Sequence, residues 1–258
     1  MLVEYRNGRT ALVVSGIYVV AAVAALVAGY VSADFAHAWR LGTALDTGVR
    51  PDVAGLLVLL AGVAGHAWML WRVVRDPFTL PPSGRPRILA LVLYGVAALA
   101  VVQVLFDPGP LEFAATLALA VLLLLELRCP AWIKAGLVVA LLARFLYFPA
   151  GMVQMGFPHS TPLWVGVLVA VALAGNELGV PGWRAFALAG QAKDGRFRRS
   201  TRVFGWIYVA ALVALMPMTP PVELYDPGLA LGALTGVVYS VFLPLWAAGS
   251  ARDLAQPA

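Results

Sequence analysis

Eight stretches of this 258-residue chain are almost free of charge, near 11 to 31, 53 to 71, 88 to 106, 111 to 127, 133 to 150, 163 to 180, 203 to 217 and 228 to 248. A hydrocarbon core of about 30 Å takes roughly 20 residues of helix, and lipid offers the backbone no hydrogen-bond partner. Runs of this length therefore read as membrane-crossing helices. Charged residues make up 12% and the mean hydropathy is +0.87, whereas a soluble domain carries about 25% charge. These values exclude a water-soluble fold, a disordered chain and a disulfide scaffold. The sequence predicts an all-α integral membrane protein, a single polytopic domain over 1–258 built as a bundle of about eight transmembrane helices.

The net charge of +5 would suit nucleic acid if the cations formed a patch, but they sit beside the apolar runs instead. No nucleic-acid partner is expected. With the N-terminus inside, the cytoplasmic ends and loops hold Arg6 and Arg9, then Arg72, Arg75, Arg85 and Arg87, then Arg128 and Lys134, then the cluster from Arg184 to Arg202, and Arg252. Only Arg40 and Arg50 fall on the other side. Because Lys and Arg accumulate on the cytoplasmic side, both termini are placed there, in a cytoplasmic membrane. The first run is too long for the apolar part of a signal peptide and is expected to be retained. The eight tryptophans fall mainly near run ends and read as an interfacial belt.

An internal echo suggests duplication. Phe106-Asp107-Pro108-Gly109 opens the fourth run and Tyr225-Asp226-Pro227-Gly228 the eighth, with Tyr94-Gly95-Val96-Ala97-Ala98 and Tyr208-Val209-Ala210-Ala211 in the runs before them. Two parallel four-helix repeats, 1–130 and 131–258, would account for it and would place a shared site between the halves. Helix capping by Asp, followed by Pro in the first turn, explains the paired Asp-Pro-Gly locally.

Polar residues inside the runs supply one candidate site. Arg144 lies about 15 Å beyond Lys134 by helix rise, where a cation costs about 2.5–3.5 kcal/mol unless it faces protein or water. By the same arithmetic Glu177 and His66 reach a similar depth, with Asn176 beside Glu177. Arg144, Glu177, His66 and Asn176 are thus the substrate-binding candidates. Against that stand an internal salt bridge for Arg144 and a plain interhelical hydrogen bond for His66.

A second candidate is the acidic rim. Asp34 and His37 stand one helical turn apart and His159 falls in the corresponding loop of the duplication, so carboxylate and imidazole could ligate a divalent metal. Asp107, Glu112, Glu223 and Asp226 are candidate acid-base groups, one carboxyl held protonated by desolvation. Ordinary caps and interfacial polarity explain all seven equally. The lone Cys129 reads as an inert interfacial thiol, and the loop from Val180 to Arg202 as a lipid-headgroup anchor or, at 193–202, a docking point for a protein partner.

No glycine-rich phosphate loop, nucleophile elbow or haem-type histidine pair is present, and no cofactor is specified. The leading functional expectation is a permease, or the membrane subunit of a transporter, for a small molecule or ion. The alternatives are a membrane-embedded acid-base enzyme acting on a lipid or isoprenoid-like substrate and a non-catalytic assembly subunit. Partners expected on these readings are the bilayer itself and a small-molecule or lipophilic ligand.

Overall fold

The computed structural model describes residues 2–43, 49–103, 110–145, 163–215 and 228–256, with the side chains of some of these, Glu112, Asn176 and Glu177 among them, outside the description. Among the described residues there are helices and connections and no strand. The helices are α1 (Leu2–Ser32), α2 (Ala36–Thr43), α3 (Val53–Arg75), α4 (Gly84–Gln103), α5 (Pro110–Glu126), α6 (Ala131–Phe145), α7 (Leu163–Asp194), α8 (Arg199–Leu215) and α9 (Gly228–Ala255). Five are long and apolar enough to cross a membrane: α1 over Asn7–Ser32, α3 over Val53–Arg75, α4 over Gly84–Val102, α7 over Leu163–Asp194 and α9 over Ala233–Ala255. This is the make-up of a helical integral membrane protein. The described parts of α5, α6 and α8 are shorter, and each abuts a segment outside the description.

The surface fits the same solvent. Leu12, Ile17, Val20, Val31, Leu57, Leu142 and Leu163 are all more than 60% exposed, an apolar surface that water would penalise and acyl chains would not. Trp68, Trp132, Trp164 and Trp206 belong to it. Trp39, Trp183 and Trp246 do not. They are fully buried, and the tryptophan belt read from the sequence is to that extent a core instead.

The chain forms two compact units, Met1–Leu119 with Arg198–Ala258, and Ala120–Phe197. In the first, α9 packs on α2, α3, α4 and α8, while α1 packs on α2 and α3. Of the apolar part of α9, 67% is buried against 11% for α1, so α9 is the central helix of that unit and α1 a peripheral one. Met69 and Leu70 of α3 meet Val237, Val241 and Leu245 of α9 in its core. In the second unit α6 packs along α7. Backbones fit closely there at Gly179, where a Cβ would come within 2.7 Å of the Ala140 carbonyl oxygen and 2.8 Å of the Arg144 amide nitrogen.

Helix α7 runs through Pro181 to Asp194, so the expected 180–202 loop is a helix for most of its length and turns only after Asp194. The reason lies in packing. Pro181 removes one backbone hydrogen bond, yet Trp183, Ala187, Leu188 and Gln191 after it are buried at helical spacing.

Helix α2 is the element that the apolar runs do not announce. Ala33 (φ 60°) turns the chain back after α1, and Asp34 caps the new helix by accepting the Ala36 N–H at 2.9 Å. Phe35 packs at Gly29, while at the other end the Tyr18 hydroxyl donates to the Leu41 carbonyl. The helix therefore descends antiparallel to α1. Along α3 it runs parallel, with Trp39 at Gly55 and Gly42 at Leu59 and Gly62. Gly62 lies about 14 Å along α3 from Val53, so α2 ends near the middle of the span. By Val49, whose carbonyl accepts the Trp39 indole N–H at 2.7 Å, the chain has returned to the starting level. This is a re-entrant helix, a structure lipid permits only where protein encloses it.

Its inner end is fitted by glycines. A Cβ on Gly62 would overlap the Gly42 carbonyl oxygen, and one on Gly236 of α9 would lie 2.9 Å from the Thr43 carbonyl oxygen. Gly62→Ala should therefore cost about 1–3 kcal/mol, read as a lowered unfolding midpoint in detergent. Gly16→Ala, with nothing within 4 Å, should leave the midpoint unchanged or raise it. Equal midpoints for the two variants would contradict the inserted placement of α2.

Candidate functional site

The re-entrant helix leaves a cavity of about 320 Å³ on its α1 side, lined by Ala25, Ala28 and Ser32 of α1, by Asp34, and by His37, Arg40 and Leu41 of α2. Ser32, Asp34 and His37 stand where α1 turns into α2, and Ala25, Leu41 and the cationic Arg40 line the inner end. Ser32 to Ala25 is about 10 Å of helix, so the cavity enters the span by roughly two turns. The geometry of α2 explains this lining. Its buried side, Phe35, Ala38, Trp39, Gly42 and Thr43, faces α3 and α9, which leaves His37, Arg40 and Leu41 toward the cavity. Arg40 stands in the last turn, where a cation offsets the partial negative charge of a helix C-terminus.

Past the end of α2 lies His66, 1% exposed. Its Nδ1 is 2.8 Å from the Gly62 carbonyl oxygen and its Nε2 2.9 Å from Ser240 Oγ on α9. The Tyr18 ring is 6.0 Å away, centroid to centroid. A carbonyl only accepts, so Nδ1 carries a proton and donates to Gly62. With a neutral ring the Ser240 hydroxyl donates to Nε2. With a second proton on the ring, Nε2 donates instead and the hydroxyl turns to the Gly236 carbonyl, 2.8 Å away. Rotation of one hydroxyl thus satisfies both ring nitrogens in either arrangement.

The sequence-derived candidates are distributed as follows. Asp34 and His37 line the α1–α2 cavity together, with Asp34 also the cap of α2. His159 lies outside the described residues, and among those residues no group of three or more His, Cys, Asp or Glu could hold a metal. Asp107, Glu223 and Asp226 lie outside the description, as does the side chain of Glu112 in the first turn of α5. The repeated Asp-Pro pairs fall there too. Arg144 is at the end of α6 in the second unit, half-buried, and the side chains of Asn176 and Glu177 are not described. His66 belongs to the first unit, where Gly62 and Ser240 occupy both ring nitrogens, and Arg144, Asn176 and Glu177 belong to the second. The partners that sequence depth could not supply were Ser240 and Tyr18, each from a distant run.

The basic 193–202 segment is engaged in its own fold. Gly195 takes a left-handed φ of 77° after α7, Arg196 pairs with Asp194 at 2.6 Å and donates to the Glu126 carbonyl at 2.9 Å, and the Arg128 N–H donates to Asp194 at 2.8 Å. Burial pushes the Cys129 thiol above its usual pKa, which keeps it protonated and a poor nucleophile.

No family model, curated protein or solved structure matches the chain.

Ser240→Ala would leave a buried imidazole nitrogen without its partner. The expected loss is about 1–3 kcal/mol, measured as a fall in unfolding midpoint that Ser83→Ala, at an exposed turn, does not share.

Proposed function

We propose that the protein is a permease, or the membrane subunit of a transporter, for a small molecule or ion, and that its pathway follows the groove between α1 and α2. The observation that carries this reading is the re-entrant helix with a polar-mouthed cavity beside it. Half-length helices ending inside a bundle bring backbone dipoles and carbonyls to a solute in mid-membrane, and non-helical backbone at that depth is tolerated where it lines a path. A protein needing only to be anchored gains nothing from this device. Asp34 and His37 offer charge and hydrogen bonds at the mouth, and His66 beyond the inner end of α2 is placed to couple movement to a proton.

In this reading the chain crosses a cytoplasmic membrane eight times with both termini inside. Support comes from one end of the first unit, where Arg72, Arg198 and Arg252, from three separate stretches of sequence, line a single cavity. That is the grouping the positive-inside rule requires. The paired Asp-Pro-Gly sequences would then open the fourth and eighth crossings of two parallel repeats.

The test is flux. Purified protein in liposomes should carry at least one member of a panel of protons, monovalent cations and small neutral solutes. Ala28→Trp, which fills the cavity from α1, should lower that flux at least tenfold, while Val20→Trp, on the exposed part of α1, should not. Wild-type liposomes no leakier than empty ones to the whole panel would end the permease reading, and equal flux in both tryptophan variants would move the pathway elsewhere.

A further inference from the structure

A second cavity, about 450 Å³ and lined by none of the residues of the first, opens where the C-terminal ends of α3 and α9 meet the start of α8. Its size falls within the roughly 300–1,000 Å³ of small-molecule sites. Three guanidinium groups and two carboxylates line it, and the carboxylates are already committed. Asp76 pairs with Arg252 at 3.0 Å; Asp253 lies 3.6 Å from Arg198 Nε and accepts the Arg198 backbone N–H at 2.9 Å. Arg252 also covers the Val73 carbonyl at 2.7 Å, which removes a negative end of α3 from the space.

What is left is cationic and donor-rich. Arg72 engages no other described residue by hydrogen bond or ion pair. Thr201, only 4% exposed, lines the cavity with a hydroxyl that makes no hydrogen bond among the described residues, and Ser200 stands beside it. Both belong to the first turn of α8, whose first backbone bond is Arg202 N–H to the Arg198 carbonyl. The N–H groups of Arg199, Ser200 and Thr201 therefore have no acceptor within the helix. An unpaired guanidinium, two hydroxyls and a helix N-terminus facing one space form a donor set for a tetrahedral oxyanion.

We propose that this cavity binds a phosphate group, with Arg72, Ser200 and Thr201 as its ligands. The phosphate can come from an anionic lipid headgroup or from a soluble phosphate monoester. Both present the same oxygens, and the position at helix ends beside exposed apolar surface suits the lipid.

Binding to the full-length protein in a neutral detergent separates these sources. The probes are dioctanoyl phosphatidic acid, dioctanoyl phosphatidylcholine, glycerol 3-phosphate and inorganic phosphate, with affinity read by native mass spectrometry and by the shift in unfolding midpoint. Phosphatidic acid should bind at least tenfold tighter than phosphatidylcholine. Arg72→Gln should remove most of that difference, and Arg85→Gln, an exposed cation outside the cavity, should not. Thr201→Val, which keeps shape and loses the hydroxyl, should weaken phosphatidic acid severalfold and serves if Arg72→Gln does not fold. Tight binding of glycerol 3-phosphate or inorganic phosphate, lost in the same variants, would assign the site to a soluble phosphate. The proposal fails if the two lipids bind equally, or if Arg85→Gln weakens binding as much as the cavity variants.

Discussion

A peptide carbonyl inside hydrocarbon must find a donor, and the last carbonyls of any helix have none of their own. Helix α2 stops halfway through a bilayer-length bundle and meets that problem directly. The Tyr18 hydroxyl takes the Leu41 carbonyl, the Thr43 hydroxyl returns to the Trp39 carbonyl at 2.9 Å, and the Gly42 and Thr43 oxygens press on the backbones of Gly62 and Gly236. Contacts of the last kind, from Cα–H to carbonyl oxygen, are individually weak, but a side chain at either glycine would abolish them. The positions of α1, α3 and α9 around α2 follow from this arrangement.

The same arrangement links structure to chemistry. Gly62 sits under α2 and its carbonyl holds His66 one turn further on; Gly236 sits under Thr43 and its carbonyl is the alternative acceptor for Ser240. The inner end of the re-entrant helix and the hydrogen bonds of His66 thus share two residues.

The long helices were legible because burial in lipid leaves a simple record, an unbroken apolar run of fixed minimum length. The re-entrant helix left a fainter one: Phe35, Ala38, Trp39, Gly42 and Thr43 follow the i, i+3, i+4, i+7, i+8 pattern of a buried helical face. Asp34, His37 and Arg40 between them give the same stretch the composition of an outer rim. The sequence marks His66 as a polar residue at depth, but depth is one coordinate and says nothing of which helices face each other. Ser240 in α9 could not be chosen as its partner from order along the chain. The end of α7 was misjudged for a related reason, since Pro181 and the cations after it look like a loop until the buried spacing of Trp183, Ala187 and Leu188 is counted.

The first unit is discontinuous in the chain: its central helix, α9, is made only after α1 to α8, and residues 120–197 intervene. During translation α1 to α4 must therefore wait in the bilayer without the surface they will finally share. In that interval Gly62 and His66 face whatever is nearby, lipid or chaperone. The re-entrant segment acquires its floor only when Gly236 arrives, so a chain halted before α9 leaves α1 to α4 with an open seam.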